Sequence, residues 1–131
     1  MTICRAIQRG DLQAVIANAH EMIQEIDKME DGDIQWENYI TFWIASHKDH
    51  DVATEMFKVF LQTCKNTYEP NVYEEVISLY AYPTMVGAVA AENLDILNLI
   101  KGYVKEADVH DEMMACHGKI LNRVKIFFQK S

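Results

Sequence analysis

The chain has 131 residues, half of them hydrophobic and a quarter charged, which suits one folded domain with a sizeable buried core. No apolar run approaches the ~20 residues that cross a bilayer, so the sequence excludes a membrane-spanning segment. The formal charge of −8 sets the surface against phosphate backbones, and direct nucleic-acid binding is not expected.

In chain order, Thr2 is expected to cap a short helix over Ile3 to Arg9 that Gly10 stops. Asp11 suits the N-cap of a longer helix, in which Leu12, Val15, Ile16, Ala19, Ile23, Ile26 and Met29 form one apolar stripe. Glu30-Asp31-Gly32-Asp33 reads as a turn, and Asp33 as the cap of an aromatic-rich helix from Ile34 to about Ser46. After the break at His47 to His50, Asp51 is expected to cap a helix carrying Val52, Met56, Phe57, Val59, Phe60 and Leu61. Lys65 to Asn71 contains Pro70 and reads as a loop, followed by a helix from Val72 to Tyr80. Pro83 is expected to end or kink what precedes it, and Thr84 to cap Met85 to Ala91. Asn93 then caps Leu94 to about Lys105, Asp108 opens a short segment to Cys116, and a last helix follows Gly118. The β-branched residues keep helical spacing throughout, so the predicted class is all-α.

Charge is unevenly placed. Seven acids lie between Glu21 and Glu37 against the single base Lys28, whereas His117 to Ser131 holds four bases and no acid. Cys4, Cys64 and Cys116 are scattered and in no CxxC spacing, which reads as buried reduced thiols. The N-terminus lacks a long apolar region, so a secretory leader is not expected and a cytoplasmic location is.

One phrase recurs in imperfect copies. Ala6-Ile7-Gln8-Arg9-Gly10-Asp11-Leu12-Gln13-Ala14-Val15 returns as Ala88-Val89-Ala90-Ala91-Glu92-Asn93-Leu94-Asp95-Ile96-Leu97. Each copy is a short apolar segment, a polar break and a second apolar-periodic helix, which is how stacked helical hairpins are written. With Pro83 to Ile100 and the later Ala107-Asp108-Val109, this pattern resembles ankyrin repeats. Weaker copies stand at Ile44 to Val52 and Gly118 to Lys125. The resemblance implies an ankyrin-like solenoid of about three to four degenerate repeats, one helical-repeat domain over residues 1–131. It also implies small residues in the first helix of each pair, where neighbours approach closely. The chain departs from the family in its spacing, since Leu12, Val52, Leu94 and Leu121 are about 40, 42 and 27 apart against a usual 33. Pro and Thr are also reversed at Pro83-Thr84, and Val72 to Tyr80 has no place in a simple repeat. A generic helical-hairpin array or a compact bundle are the structural alternatives.

Few motifs point to chemistry. His47-x-x-His50 with Asp49 and Asp51 is the nearest thing to a metal constellation, but a divalent site wants three or four convergent ligands. A polar inter-helix turn explains it as well, and no metal, cofactor or catalytic residue is assigned. Phosphate-binding glycine loops, GxSxG and HExxH are all missing from the sequence. Trp36, Tyr39 and Trp43 give their helix more apolar width than one buried stripe requires, which makes them candidates for an exposed contact.

The function expected from the resemblance is non-catalytic recognition of another protein through first helices and hairpin tips. The positions matching those places are Arg9, Asp31, Asp33, Trp36, Trp43, His47, Lys48, Glu92, His110 and Asp111. Such a module would act alone as an inhibitor or adaptor, as suits a viral, phage or bacterial antagonist, with its acidic charge steering a partner that has a basic surface. The opposite charge of the two ends leaves self-association open. The rivals are an acidic nucleic-acid mimic that blocks a DNA- or RNA-handling protein, and an enzyme using His47, His50 and nearby acids.

Overall fold

The computed structural model describes residues 2–28, 39–105, 108 and 111–112. Every regular element among them is helical: α1 (Ile3–Arg9), α2 (Leu12–Ala17), α3 (His20–Lys28), α4 (Ile40–Ala45), α5 (His50–Thr67), α6 (Pro70–Ala91) and α7 (Leu94–Leu99). A 3-10 turn, Lys101–Tyr103, follows α7. None of these helices is long and apolar enough to cross a membrane.

The elements pack as pairs in two rows. α1 packs on α2, α4 on α5, and α6 on α7; across the pairs, α1 and α6 flank α4 while α2 and α7 flank α5. Helices that open a hairpin therefore touch one another, and helices that close a hairpin do the same. A continuous core of Ile3, Ile7, Val15, Ile44, Phe57, Phe60, Met85, Ile96 and their neighbours runs through both rows. Near its middle, Tyr80 meets the Tyr39 ring edge-on at 5.4 Å and Phe60 at 5.5 Å.

α4 and α6 approach each other closely. A Cβ placed on Gly87 would lie 2.6 Å from the Phe42 carbonyl oxygen and 3.1 Å from Ala45 Cβ, so only glycine lets these backbones meet. Gly87 and Ala45 are the small residues at this approach.

Several boundaries differ from the sequence reading. The stripe from Leu12 to Met29 is not one helix, because Asn18 turns its side-chain amide back to the Ala14 carbonyl at 2.8 Å and its own N–H onto the same oxygen. An asparagine competing for backbone partners ends a helix that hydrophobic periodicity alone would continue. α2 and α3 nonetheless both lie against α5, so the stripe still serves one neighbour. Tyr39 is extended (φ −100°, ψ 123°), so α4 begins at Ile40 and not at Ile34. The cap of α5 is Asp49, whose carboxylate accepts from Val52 N at 3.2 Å, while Asp51 sits inside the first turn. The loop expected over Lys65 to Asn71 shrinks to Tyr68 and Glu69, since Pro70 opens α6, a position where its missing N–H costs nothing. α7 ends at Leu99, short of Lys105, and Asp108 is itself helical. The turn at Glu30 to Asp33 and the helix after Gly118 lie outside the described residues.

Pro83 is the largest departure, because α6 passes through it for 22 residues. An interior proline costs about 3 kcal/mol. Burying each large apolar side chain returns ~1.5–3 kcal/mol, and Met85, Val86 and Val89 are all buried just beyond it. Packing outweighs the local penalty. Thr84 is no cap; its hydroxyl donates to the Tyr80 carbonyl at 2.6 Å within the helix.

Cys64 is buried and its thiol is pushed up to about 12 by burial, whereas Cys4 is exposed, against the expectation of buried thiols throughout. Cys116 lies outside the described residues.

Two predictions follow from this packing. Gly87→Ala should destabilise the fold by ~1–3 kcal/mol, because backbone and not a yielding side chain blocks the methyl; thermal melting would show it. The second concerns alkali. The Tyr103 hydroxyl donates to Glu74 at 2.7 Å, and that bond, with burial, raises the phenol from 10.0 to about 12. Burial also raises Tyr80. A group whose proton the fold retains contributes stability that is complete below its unfolded pKa, so stability should fall as pH rises from 10.0 to about 12. Denaturant melts across that range would detect it, and Tyr103→Phe should flatten the slope.

Candidate functional site

The recurring phrase becomes one recurring turn. In its first copy Gly10 N–H bonds to Ile7 O and Asp11 N–H to Ala6 O, both at 3.0 Å, with Gly10 at φ 68°. In the second, Glu92 N–H bonds to Val89 O at 3.1 Å and Asn93 N–H to Ala88 O at 2.8 Å, with Glu92 at φ 60°. Both are Schellman endings that satisfy the last carbonyls of one helix. The next residue then caps the following helix: Asp11 accepts from Ala14 N, and Asn93 accepts from Ile96 N, each at 3.1 Å. The middle tip, Ser46 to Asp49, is longer, and there the His47 imidazole accepts from Asp49 N at 3.1 Å through Nδ1.

The tips are joined edge to edge. The His47 ring lies against Gly10, where a Cβ would stand 2.9 Å from its Nε2. On the other side, His50 Nε2 is 2.6 Å from the Ala91 carbonyl, to which it donates. Asn93 is buried and donates to His50 O at 3.4 Å and Thr54 Oγ1 at 3.5 Å. His47 and His50 therefore serve opposite neighbours and do not converge. Among the described residues, no three His, Cys, Asp or Glu side chains are grouped as a metal would require.

This edge brings together five of the residues expected at an interaction surface. Arg9 ends α1, Trp43 is 41% exposed near the end of α4, His47 and Lys48 form the middle tip, and Glu92 holds the left-handed position of the third. Gln8, Trp43, Ser46, His47 and Lys48 enclose an open pocket of about 290 Å³, whose lining is mostly apolar. Tyr39, by contrast, is buried in the core. Asp111 stands apart from this edge, close enough to Tyr82 in mid-α6 to help raise its phenol, after burial and with Glu112 and Asp108. Asp31, Asp33, Trp36 and His110 lie outside the described residues.

Sequence reasoning missed Gln8, Ser46 and a second surface. Gln8 and Arg5 share the exposed side of α1 and could have been found by extending its helical wheel from Arg9. The second surface is an open cleft of about 430 Å³ between α5 and α7, lined by Asp51, Thr54, Glu55, Lys58, Asp95 and Asn98. Lys58 pairs with Glu55 there at 3.5 Å. Nothing local relates Asp95 to Asp51, since only the stacking of α5 and α7 joins them.

The buried asparagine should matter more than its exposed counterpart. Asn93→Ala removes a cap and both links to α5 and should cost ~1–2 kcal/mol, against about 1 kcal/mol or less for Asp11→Ala, as measured by denaturant unfolding.

No curated protein and no solved structure matches this chain. A family model does match it over residues 2–129, a span that includes all three hairpins and their linked tips. The chain belongs to that family, DUF5903, a family of unknown function.

Proposed function

We propose that this chain is a non-catalytic protein-recognition module, a degenerate ankyrin-like stack of helical hairpins that binds a macromolecular partner through its aligned tips. It would act as an inhibitor or adaptor, by masking a surface or holding two together. The observation that carries the reading is the row of three tips joined by His47 and by the His50–Asn93 contacts, with Trp43 exposed beside it. A surface fixed by backbone hydrogen bonds loses little entropy on binding, and an exposed tryptophan is the residue type that most often dominates a protein interface. His47, His50 and Asp49 are engaged with backbone groups, which argues against their use as an acid–base set.

The nucleic-acid mimic has an observation of its own, the cleft where Asp51, Glu55 and Asp95 face solvent on the opposite row of helices. That surface would engage a basic DNA- or RNA-handling protein through charge, whereas the tip edge would engage its partner through Trp43.

The two readings separate in one capture experiment from host lysate. With the intact protein as bait, recognition through the tips predicts a stoichiometric partner that survives high salt. Trp43→Ala should weaken its retention about 30-fold, with an unchanged circular dichroism spectrum. A partner lost in high salt but indifferent to Trp43→Ala would favour the mimic.

A further inference from the structure

From the chemistry of the tip pocket we infer its ligand: an acidic peptide segment of the partner, in which an aspartate or glutamate carboxylate lies next to an apolar side chain. The inference rests on the recognition reading and specifies what this edge would take. Although the chain carries a net charge of −8, the pocket beside Trp43 is lined by a cation, Lys48, and by no carboxylate. Lys48 lines the pocket, and Arg5 and Arg9 lie on the exposed side of α1 that also supplies Gln8. Among the described residues, none of these three cations forms an ion pair. The carboxylates of the same two turns, Asp11 and Asp49, are held by the N–H groups of Ala14 and Val52.

Distance decides which charge the ligand feels. At physiological ionic strength the screening length is about 8 Å, so a group docked against Trp43 is governed by Lys48, which lines its pocket, more than by acids across the molecule. The pocket's size narrows the choice further. At about 290 Å³ it lies at the lower limit of small-molecule sites, and its mostly apolar lining suits one or two side chains. An apolar side chain would pack on the Trp43 ring while the adjacent carboxylate meets Lys48 or the guanidinium groups, which grip carboxylates in a forked geometry. A basic segment would place like charges together here, and a purely polar one would leave the tryptophan uncovered.

The test uses the intact protein against a random peptide display library, followed by synthetic peptides of the selected sequence. We expect enrichment of segments pairing Asp or Glu with Leu, Ile or Phe. Replacing their acids with the amides should weaken binding about tenfold, as should Lys48→Glu or Arg9→Glu in the protein. Trp43→Ala should weaken it about 30-fold, and Asp95→Asn in the distant cleft should leave it unchanged. Both charge reversals fall on exposed side chains, so each variant is expected to fold, with its melting curve as the check. Enrichment of basic peptides, or of acidic ones indifferent to Trp43→Ala and Lys48→Glu, would overturn the inference while leaving protein recognition standing. Failure of any peptide to enrich would also overturn it, and a lysate capture equally without a partner would remove the recognition reading as well.

Discussion

The arrangement of this protein depends on the contact at Gly87. There α6 and α4 come so close that a single added carbon would strike the Phe42 carbonyl. Because α4 is only six residues long and lies between α1 and α6, any change in its distance from α6 would be passed to both other hairpins. Helices this short are marginal alone, and their stability comes from neighbours. α6 supplies it, burying Pro83 through Val89 without interruption. A segment hydrophobic on every side belongs in the middle of a structure.

That burial explains why α6 tolerates Pro83. The lost hydrogen bond is one local term, while the apolar residues after it are held from both sides by α4 and α7. The Val72–Tyr80 segment, expected as a separate helix, is continuous with the start of the third hairpin. It is the N-terminal extension of that hairpin's first helix, packed back against α5. Helix length varies across the pairs, with 18 residues in α5 and 22 in α6 against seven in α1 and six in α4.

The same packing creates the candidate surface. When first helices stand side by side their ends form an edge, and the polar turn residues must satisfy one another across it. His47 and His50 do this with side chains that sequence motifs would assign to metal or acid–base chemistry. The net acidity of the chain and the local cations near Trp43 then act over different distances.

Much of the local grammar was legible in the chain. Thr2, Gly10, Asp11 and Asn93 all take the capping roles their types dictate, because a cap is decided within four residues. The helical class was equally legible, since apolar periodicity is a property of neighbouring positions. The larger failures came where a distant partner outweighed the local rule. Pro83 stayed inside a helix because of burial, and Tyr39, extended at the start of α4, sets its ring against Tyr80. Trp43 and Tyr39 read alike as aromatic residues in one segment, yet one is exposed at the tip and the other is core. The sequence by itself determined the caps at Thr2, Asp11 and Asn93, the stop at Gly10 and the all-helical class of the described residues. Only the tertiary structure decided which faces were covered, because burial depends on what arrives from elsewhere in the chain.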